Sequence, residues 1–224
     1  MRAEIVKINP ANPESSLIRY AADQIRAGEV LGMPTDTFYG LASDPFNLRA
    51  VDRVYEIKTR NRHKPLSLLI ESIDQAEELC WPGGLPSQAK PLPEEFYRLA
   101  IKYWPGPLTM IVKAGSRLPL KVTANTGNVA LRVPNSSIAL AVVRAASIPI
   151  TATSANLSGH SECTTAEAVR DQLGERISII VDGGTSPREV PSTIVDLTDE
   201  EARWKVMREG AIPAQEISEF FAQG

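Results

Sequence analysis

The feature that most constrains this chain is a regular alternation of strand-type and helix-type segments along its 224 residues. Short apolar runs typical of buried strands recur between segments whose apolar residues repeat every three or four positions. The first helix-type segment, for example, places Ile18, Ala22 and Ile25 on one face. Gly28 is a typical helix stop directly after it. Such alternation predicts one α/β domain with a mixed β-sheet.

The predicted elements alternate over almost the whole chain. The predicted strands cover residues 4–8, 29–33, 66–70, 108–113, 129–133, 148–153, 177–181, 193–197 and 204–208. The predicted helices cover residues 14–27, 94–103, 136–146 and 165–173, with one from the cap Asn47 through Tyr55 and a last one from about Pro213. The Pro- and Gly-rich stretch from Trp81 to Pro93 is predicted to be an exposed loop or insertion.

Composition excludes several classes of protein. The formal net charge of −3 argues against a general basic coat for nucleic acid, although a local patch stays open. Two cysteines, Cys80 and Cys163, and two histidines argue against a disulfide framework or a zinc ribbon, and no metal site is predicted. The sequence has no apolar run of transmembrane length, and its first residues lack the apolar core of a signal peptide. These observations predict a cytoplasmic protein without membrane contact.

A basic segment precedes the predicted strand at residues 66–70. Lys58, Arg60, Arg62 and Lys64 lie within seven residues. Lys58 and Arg60 are two positions apart, so in an extended segment they point the same way. Arginine offers a planar fork and lysine a point charge, a pair suited to polyphosphate. A solvated basic loop is the alternative interpretation.

Arg132 lies in an otherwise apolar strand-type segment, Val129 to Val133. A charge buried there needs a partner. The sequence leaves two alternatives open: a substrate carboxylate, or a structural acid such as Asp182 or Asp196.

Small polar side chains follow other predicted strands. Pro34 to Leu41 carries Thr and Asp groups that are placed to line a cleft at a sheet edge, with a strand-exit turn as the alternative. Ser154 and Asn156 offer neutral donors and acceptors for phosphate, ribose or base, with helix capping as the alternative. Nothing near Ser154 suggests the base that a serine nucleophile needs. The sequence also has no P-loop and no strand-linked G-x-G-x-x-G.

In their order along the chain, these segments resemble the YrdC-like family, the threonylcarbamoyl-AMP synthases of tRNA modification. The resemblance spans about Ala21 to Ile212. It is carried by Lys58-x-Arg60, Ser154-x-Asn156, Pro34-Thr35-Asp36-Thr37, Pro105-Gly106-Pro107-Leu108-Thr109 and Ser192-Thr193-Ile194-Val195-Asp196. It implies one domain over residues 1–224, with a core of about 14–212 and without the extra C-terminal domain of longer members. The implied fold is a twisted mixed α/β sheet with a large, concave, positively lined cavity.

The resemblance also implies an activity. Members make L-threonylcarbamoyl-AMP from L-threonine, bicarbonate and ATP and release pyrophosphate, with Mg²⁺ carried by the ATP. Other tRNA-modification proteins then accept the adenylate and modify an adenosine beside the anticodon. A related carbamoyl-adenylating enzyme and a structured-RNA-binding protein of the same fold are the alternatives, and weak or transient RNA binding stays open.

Site residues carry over from the family's motifs. The resemblance implies catalytic roles for Lys58 and Arg60, and no general base. It implies that threonine is bound by Thr35, Arg132, Ala152 and Ser192, and that ATP is bound by Arg60, Lys64, Asn128, Ser154, Asn156 and Arg208. The sequence departs from the family pattern at Asn61, Leu69, Glu162 and Glu209. A carboxylate at Glu162, where a serine often helps to bind ATP, would repel phosphate unless it turns away.

Overall fold

A computed structural model describes residues 3–81 and 92–223. The strands are β1 (Glu4–Lys7), β2 (Leu31–Met33), β3 (Gly40–Ala42), β4 (Ser67–Leu69), β5 (Leu108–Lys113), β6 (Asn128–Arg132), β7 (Ile150–Thr151), β8 (Thr153–Ser154), β9 (Ile179–Asp182), β10 (Thr193–Asp196) and β11 (Lys205–Arg208). The helices are α1 (Ser15–Arg26), α2 (Leu48–Lys58), α3 (Ile73–Cys80), α4 (Glu94–Tyr103), α5 (Leu120–Thr123), α6 (Ser137–Ala146), α7 (Ala166–Leu173) and α8 (Ala214–Ala222).

The strands form two mixed sheets, so the predicted mixed α/β fold class is confirmed. The five-stranded sheet has the order β1-β9-β2-β3-β8, and the six-stranded sheet has the order β11-β10-β5-β6-β4-β7. In the first sheet β1, β9 and β2 run parallel, so the carboxyl ends of these strands meet at one edge. Loops at such an edge commonly carry ligand-binding groups.

The chain passes from one sheet to the other at Ala152, which divides the predicted strand at residues 148–153. β7 pairs with β4 in the six-stranded sheet, whereas β8 pairs with β3 in the five-stranded sheet. The amide N–H of Ala152 donates to the Ser67 carbonyl at 2.8 Å at the crossing point. Because the crossing lies between the sheets, it brings Ala152 and Ser154 to the space between them.

Two hydrophobic clusters hold the sheets and helices together. In the smaller cluster, Ile25 of α1 and Val142 of α6 are fully buried together with Leu31 of β2. The larger cluster includes the buried rings of Tyr39 and Phe96. Each such residue contributes roughly 1.5–3 kcal/mol by leaving water.

Two differences from the predicted elements have local causes. The sequence pattern does not predict α3, which begins after the cap Ser72. The Ser72 hydroxyl accepts the Gln75 amide N–H at 3.2 Å. The pattern also does not predict β3, whose three residues are too few to show a period. The predicted loop at Trp81 to Pro93 lies mostly outside the described residues. Among residues 3–81 and 92–223, no helix combines the length and apolar character of a transmembrane span.

Candidate active site

A cleft of about 220 Å³ is lined by strands and loops of both sheets. That volume equals several water molecules at about 30 Å³ each, which is room for a molecule of amino-acid size. Seven of the predicted site residues line it: Thr35, Arg60, Arg132, Ala152, Ser154, Ser192 and Arg208. The two-sheet architecture thus brings together side chains that are far apart in the sequence.

Arg132 is buried at the end of β6, with 6% of its surface exposed. Its Nη2 donates to the carboxylate of Asp36, its Nη1 to Thr37 Oγ1 at 3.0 Å, and its Nε to the Gly106 carbonyl at 2.9 Å. One N–H on each Nη atom is left over from these three bonds. The fork is therefore held firmly and its charge is matched by one carboxylate.

The prediction that Asp182 or Asp196 is the structural acid paired with Arg132 is wrong. Its ion-pair partner is Asp36, not Asp182 or Asp196. Both of the latter cap turns: the Asp182 carboxylate accepts the Gly184 amide N–H at 2.9 Å, and the Asp196 carboxylate accepts the amide N–H of Thr198 at 2.9 Å.

Arg60 and Arg208 are held differently. Arg60 Nη2 donates to the Pro65 carbonyl at 2.9 Å. Arg208 donates from Nε and Nη2 to the Ser192 carbonyl, at 3.1 and 2.7 Å, and from Nη2 to Ser192 Oγ at 3.1 Å. These partners are neutral, so the positive charges of the two arginines are not cancelled by their anchors. Burial lowers the pKa of both guanidiniums, because removing a charged group from water disfavours its charged form.

Glu162 lines the same cleft. Burial lowers the pKa of Arg208, and the nearby Glu162 charge partly opposes that effect. The carboxylate therefore reduces the positive potential that Arg60 and Arg208 create.

Hydroxyl groups line the cleft near Arg132. Thr35 Oγ1 donates to the Phe38 carbonyl at 2.7 Å, and Ser192 Oγ and Thr109 Oγ1 share a hydrogen bond of 2.8 Å. Thr35 Oγ1 also accepts from the Thr37 amide N–H at 3.1 Å and lies 3.1 Å from Thr37 Oγ1, so its hydrogen-bonding capacity is used within the segment. Thr109 Oγ1 keeps acceptor capacity for a ligand.

Lys58 lies behind the cleft wall and supports it. The side chain has 2% of its surface exposed, and Nζ donates to the Ser154 carbonyl, to the Asn156 carbonyl at 2.7 Å and to Asn156 Oδ1 at 3.0 Å. Ser154 Oγ also donates to Asn156 Oδ1, at 2.7 Å. Burial, reinforced by the Arg60 charge, lowers the pKa of Lys58 to about 8. The Lys-x-Arg and Ser-x-Asn segments therefore contact each other directly, with Lys58 and Asn156 holding Ser154 in place.

Two further predicted ATP-binding residues do not line the cleft. Lys64 is exposed, and its carbonyl accepts the Tyr55 hydroxyl at 3.0 Å. Asn128 begins β6, and its buried Oδ1 has no partner within residues 3–81 and 92–223. Their roles stay predictions.

Some cleft residues escaped the sequence analysis. Thr109 ends the motif Pro105 to Thr109, for which the sequence predicts no role in binding, yet it lines the cleft and shares a hydrogen bond with Ser192. Asp36 could have been found, since it is the one acid in the segment Pro34 to Leu41 and a buried arginine needs an acid. In the described part of the chain, no group of three or more His, Cys, Asp or Glu is arranged to hold a metal ion.

The sequence matches a family model and several proteins of known name. Residues 23–210 match the model of the Sua5/YciO/YrdC family, described as telomere recombination. The chain is 36% identical over 208 residues to the threonylcarbamoyl-AMP synthase of Pyrococcus abyssi, covering 92% of this chain and 57% of that protein. It is 34% identical over 186 residues to the threonylcarbamoyl-AMP synthase of Vibrio vulnificus, covering 83% of this chain and 96% of that protein.

A solved structure agrees with the sequence matches. The crystal structure of P. abyssi Sua5 complexed with L-threonine superposes with a TM-score of 0.88 at 35% identity, covering 97% of this chain and 61% of that one. The chain therefore spans somewhat more than half the length of the P. abyssi relative. With a family model that matches most of its residues, the chain belongs to the Sua5/YciO/YrdC family.

Proposed function

We propose that this protein makes L-threonylcarbamoyl-AMP from L-threonine, bicarbonate and ATP and releases pyrophosphate. One observation carries the proposal. A single cleft holds Arg132, an arginine matched by a buried carboxylate, and also Arg60 and Arg208, whose anchors within the described residues are neutral groups. The first suits a singly charged carboxylate and the other two suit a polyphosphate. Relatives named threonylcarbamoyl-AMP synthase support the assignment.

Threonine is proposed to bind at the Arg132 end. The two remaining N–H groups of Arg132 form a fork for the substrate carboxylate. Thr35, Ser192 and the backbone at Ala152 are proposed to contact the rest of the amino acid. A relative with a structure containing L-threonine supports this placement.

ATP is proposed to bind at the Arg60 and Arg208 end, where the Ser154 hydroxyl turns its single hydrogen from Asn156 Oδ1 to a phosphate oxygen. Asn156 acts through Ser154, to which it is hydrogen-bonded. Lys58, for which the sequence predicts a catalytic role, is proposed to position the same loop instead, because all three N–H groups of its ammonium donate to Ser154 and Asn156. Lys64 and Asn128 are proposed to contact parts of the nucleotide that extend out of the enclosed cleft.

Mg²⁺ is proposed to arrive with the triphosphate, because this ion is usually held by phosphates and one or two carboxylates. Glu162 is the carboxylate that lines the cleft. When bound, the ion would supply charge neutralisation at the phosphates.

The chemistry needs positioning more than a strong base. The threonine amine attacks bicarbonate, which loses water and leaves an N-carboxylate. A carboxylate oxygen then attacks the α-phosphorus, the bond to the β-phosphate bridging oxygen breaks, and pyrophosphate leaves. Both partners are anionic, so fixed guanidinium groups lower the barrier by holding them together. The product is proposed to pass to proteins that modify tRNA.

The test is an incubation of the purified protein with ATP, Mg²⁺ and bicarbonate, with and without L-threonine. We expect pyrophosphate release that depends on threonine, and a product with the mass of threonylcarbamoyl-AMP. Turnover with carbamoyl phosphate in place of threonine and bicarbonate would assign a different adenylating reaction. Salt-dependent RNA binding without any adenylate would replace the enzyme by an RNA-binding protein.

A further inference from the structure

The end of α2 leads directly to Arg60, and the backbone turns sharply there. Thr59 follows the last helical residue with φ 52° and ψ 42°, the left-handed region that glycine usually occupies after a helix. The Thr59 amide N–H donates to the Glu56 carbonyl at 3.1 Å, and the Arg60 amide N–H donates to the Tyr55 carbonyl at 2.9 Å. These two bonds set the direction in which the chain leaves the helix, and with it the point from which the Arg60 side chain enters the cleft.

Two carbonyl groups at the end of α2 are left over from this turn, and both are bound from outside the helix. The Ile57 carbonyl accepts from Arg176 Nη1 at 3.0 Å, and the same Nη1 lies 3.5 Å from Thr59 Oγ1. The Lys58 carbonyl accepts the Ser158 amide N–H at 3.0 Å. Arg176 therefore contacts the residues on both sides of Lys58, including the one in the left-handed conformation.

Arg176 belongs to a separate and firmly held segment, which suits it to the role of a cap. It follows α7, and its own amide N–H donates to the Leu173 carbonyl at 2.8 Å. The next residue, Ile177, is buried. Within the described residues no carboxylate forms a salt bridge with Arg176. Its charge therefore faces the negative end of the α2 dipole without an acid to compete for it.

The last turn of α7 also holds the loop that contains Ser158. Gln172 Oε1 accepts the Leu157 amide N–H at 3.3 Å, and Gln172 Nε2 donates to the Ser161 carbonyl at 3.0 Å. Both outside partners of the α2 end are thus fixed by the segment from Gln172 to Arg176. This segment supports the Lys-x-Arg and Ser-x-Asn segments together.

We propose that Arg176 is a positioning residue for the phosphate end of the cleft. By capping α2 it holds Thr59 in the left-handed conformation and so directs Arg60 toward the phosphates. Arg176 is exposed and does not line the cleft, so it acts through Arg60 and not by contact with a ligand. The role rests on the proposed function, which places phosphates beside Arg60.

Variants at two exposed arginines separate capping from net charge. Arg176→Met keeps a side chain of similar length without the charge or the donor, whereas Arg176→Lys keeps both. Arg53→Met is the control, because Arg53 is exposed on α2 and lines the same surface cavity as Arg176. Its side chain has no hydrogen bond or salt bridge within residues 3–81 and 92–223. Thermal unfolding shows that each variant is folded.

The first measurement is hydrogen exchange at the Arg60 amide, followed by NMR without any ligand. We expect exchange about fivefold faster in Arg176→Met than in the wild type, since the turn that holds this amide loses a supporting hydrogen bond. Arg176→Lys and Arg53→Met should exchange at close to the wild-type rate. An unchanged rate in Arg176→Met would overturn the proposal, and this result does not depend on adenylate synthesis.

The second measurement is affinity for pyrophosphate by isothermal titration. We expect Arg176→Met to bind pyrophosphate about threefold more weakly and L-threonine as tightly as the wild type. In an Arg60→Gln background the same change should cause no further loss, because Arg176 acts through Arg60.

Three titration results would overturn the proposal: no loss in Arg176→Met, an equal loss in Arg53→Met, or a full threefold loss in the Arg60→Gln background. Wild-type affinity for pyrophosphate in Arg60→Gln would instead contradict the phosphate end of the proposed function. Faster exchange at the Arg60 amide would then still show that Arg176 holds this turn.

Discussion

The two ends of the cleft use arginine in opposite ways. Arg132 is buried against the carboxylate of Asp36, and its position depends on that charge pair. Arg60 and Arg208 donate hydrogen bonds to main-chain carbonyls, and within the described residues no acid forms a salt bridge with either of them. The first arrangement gives a precise fork with little net charge. The second gives net positive charge at the cost of burying it. The same side chain, arginine, thus provides the proposed carboxylate site at one end of the cleft and the proposed phosphate site at the other.

The largest expected effect is on stability, at the Arg132 end. Arg132→Ala leaves Asp36 buried without its partner, so we expect a loss of about 3–5 kcal/mol in the free energy of unfolding. Denaturant unfolding measures it. The double variant Arg132→Met with Asp36→Asn removes both charges and should recover part of the loss. A loss below about 1 kcal/mol for Arg132→Ala would show that the pair is not buried as described.

The next largest effect is on the pH dependence of stability. It is expected at Lys58, which lies behind the cleft wall at the end with Arg60 and Arg208. Burial lowers its pKa to about 8, below the ordinary value near 10.5. Between these pH values the unfolded chain binds more protons at this site than the folded protein, so the group's contribution to stability rises with pH. We expect the wild type to gain up to about 3 kcal/mol over Lys58→Met between pH 7 and pH 10.5. A constant difference over this range, in denaturant unfolding at each pH, would contradict the burial of the charge.

A smaller effect is expected for a change at Arg60, and this effect is on ligand affinity rather than on stability. Arg60→Gln removes a charge whose anchors are neutral, so stability should change by about 1 kcal/mol or less. Affinity for pyrophosphate should fall at least about tenfold, or ~1.4 kcal/mol, while L-threonine affinity is kept. Isothermal titration measures both ligands. Equal losses of affinity for the two ligands would contradict the distinction between the two ends of the cleft.

Ser154→Ala should lower the rate of turnover at least about tenfold, or ~1.4 kcal/mol.

The smallest effect is expected at Glu162. Glu162→Gln removes a negative charge from the phosphate end, so the affinity for pyrophosphate without Mg²⁺ should rise about threefold. Glu167→Gln is the control, because it makes the same change on the exposed first turn of α7. A rise in both variants would assign the effect to net charge alone.

The sequence predicts the fold class well and the site's internal contacts poorly. The alternating apolar pattern is local, so α1, α6 and β5 could be read directly from residues close together in the chain. The crossing at Ala152 depends on two sheets being present at once, which no local period records.

The same limit explains the errors at the site. A buried arginine at position 132 predicts an acidic partner, but the choice of Asp36 over Asp182 or Asp196 depends on which loop the folded chain brings near. The Lys-x-Arg and Ser-x-Asn segments were both noted, whereas their direct contact through Lys58 Nζ needed the structure.

The most direct test of the two-ended cleft is a crystal structure of the protein with L-threonine and a non-hydrolysable ATP analogue. We expect the threonine carboxylate within hydrogen-bond distance of Arg132, and the phosphates beside Arg60 and Arg208. Phosphates bound at Arg132, or threonine bound at Arg60, would contradict it.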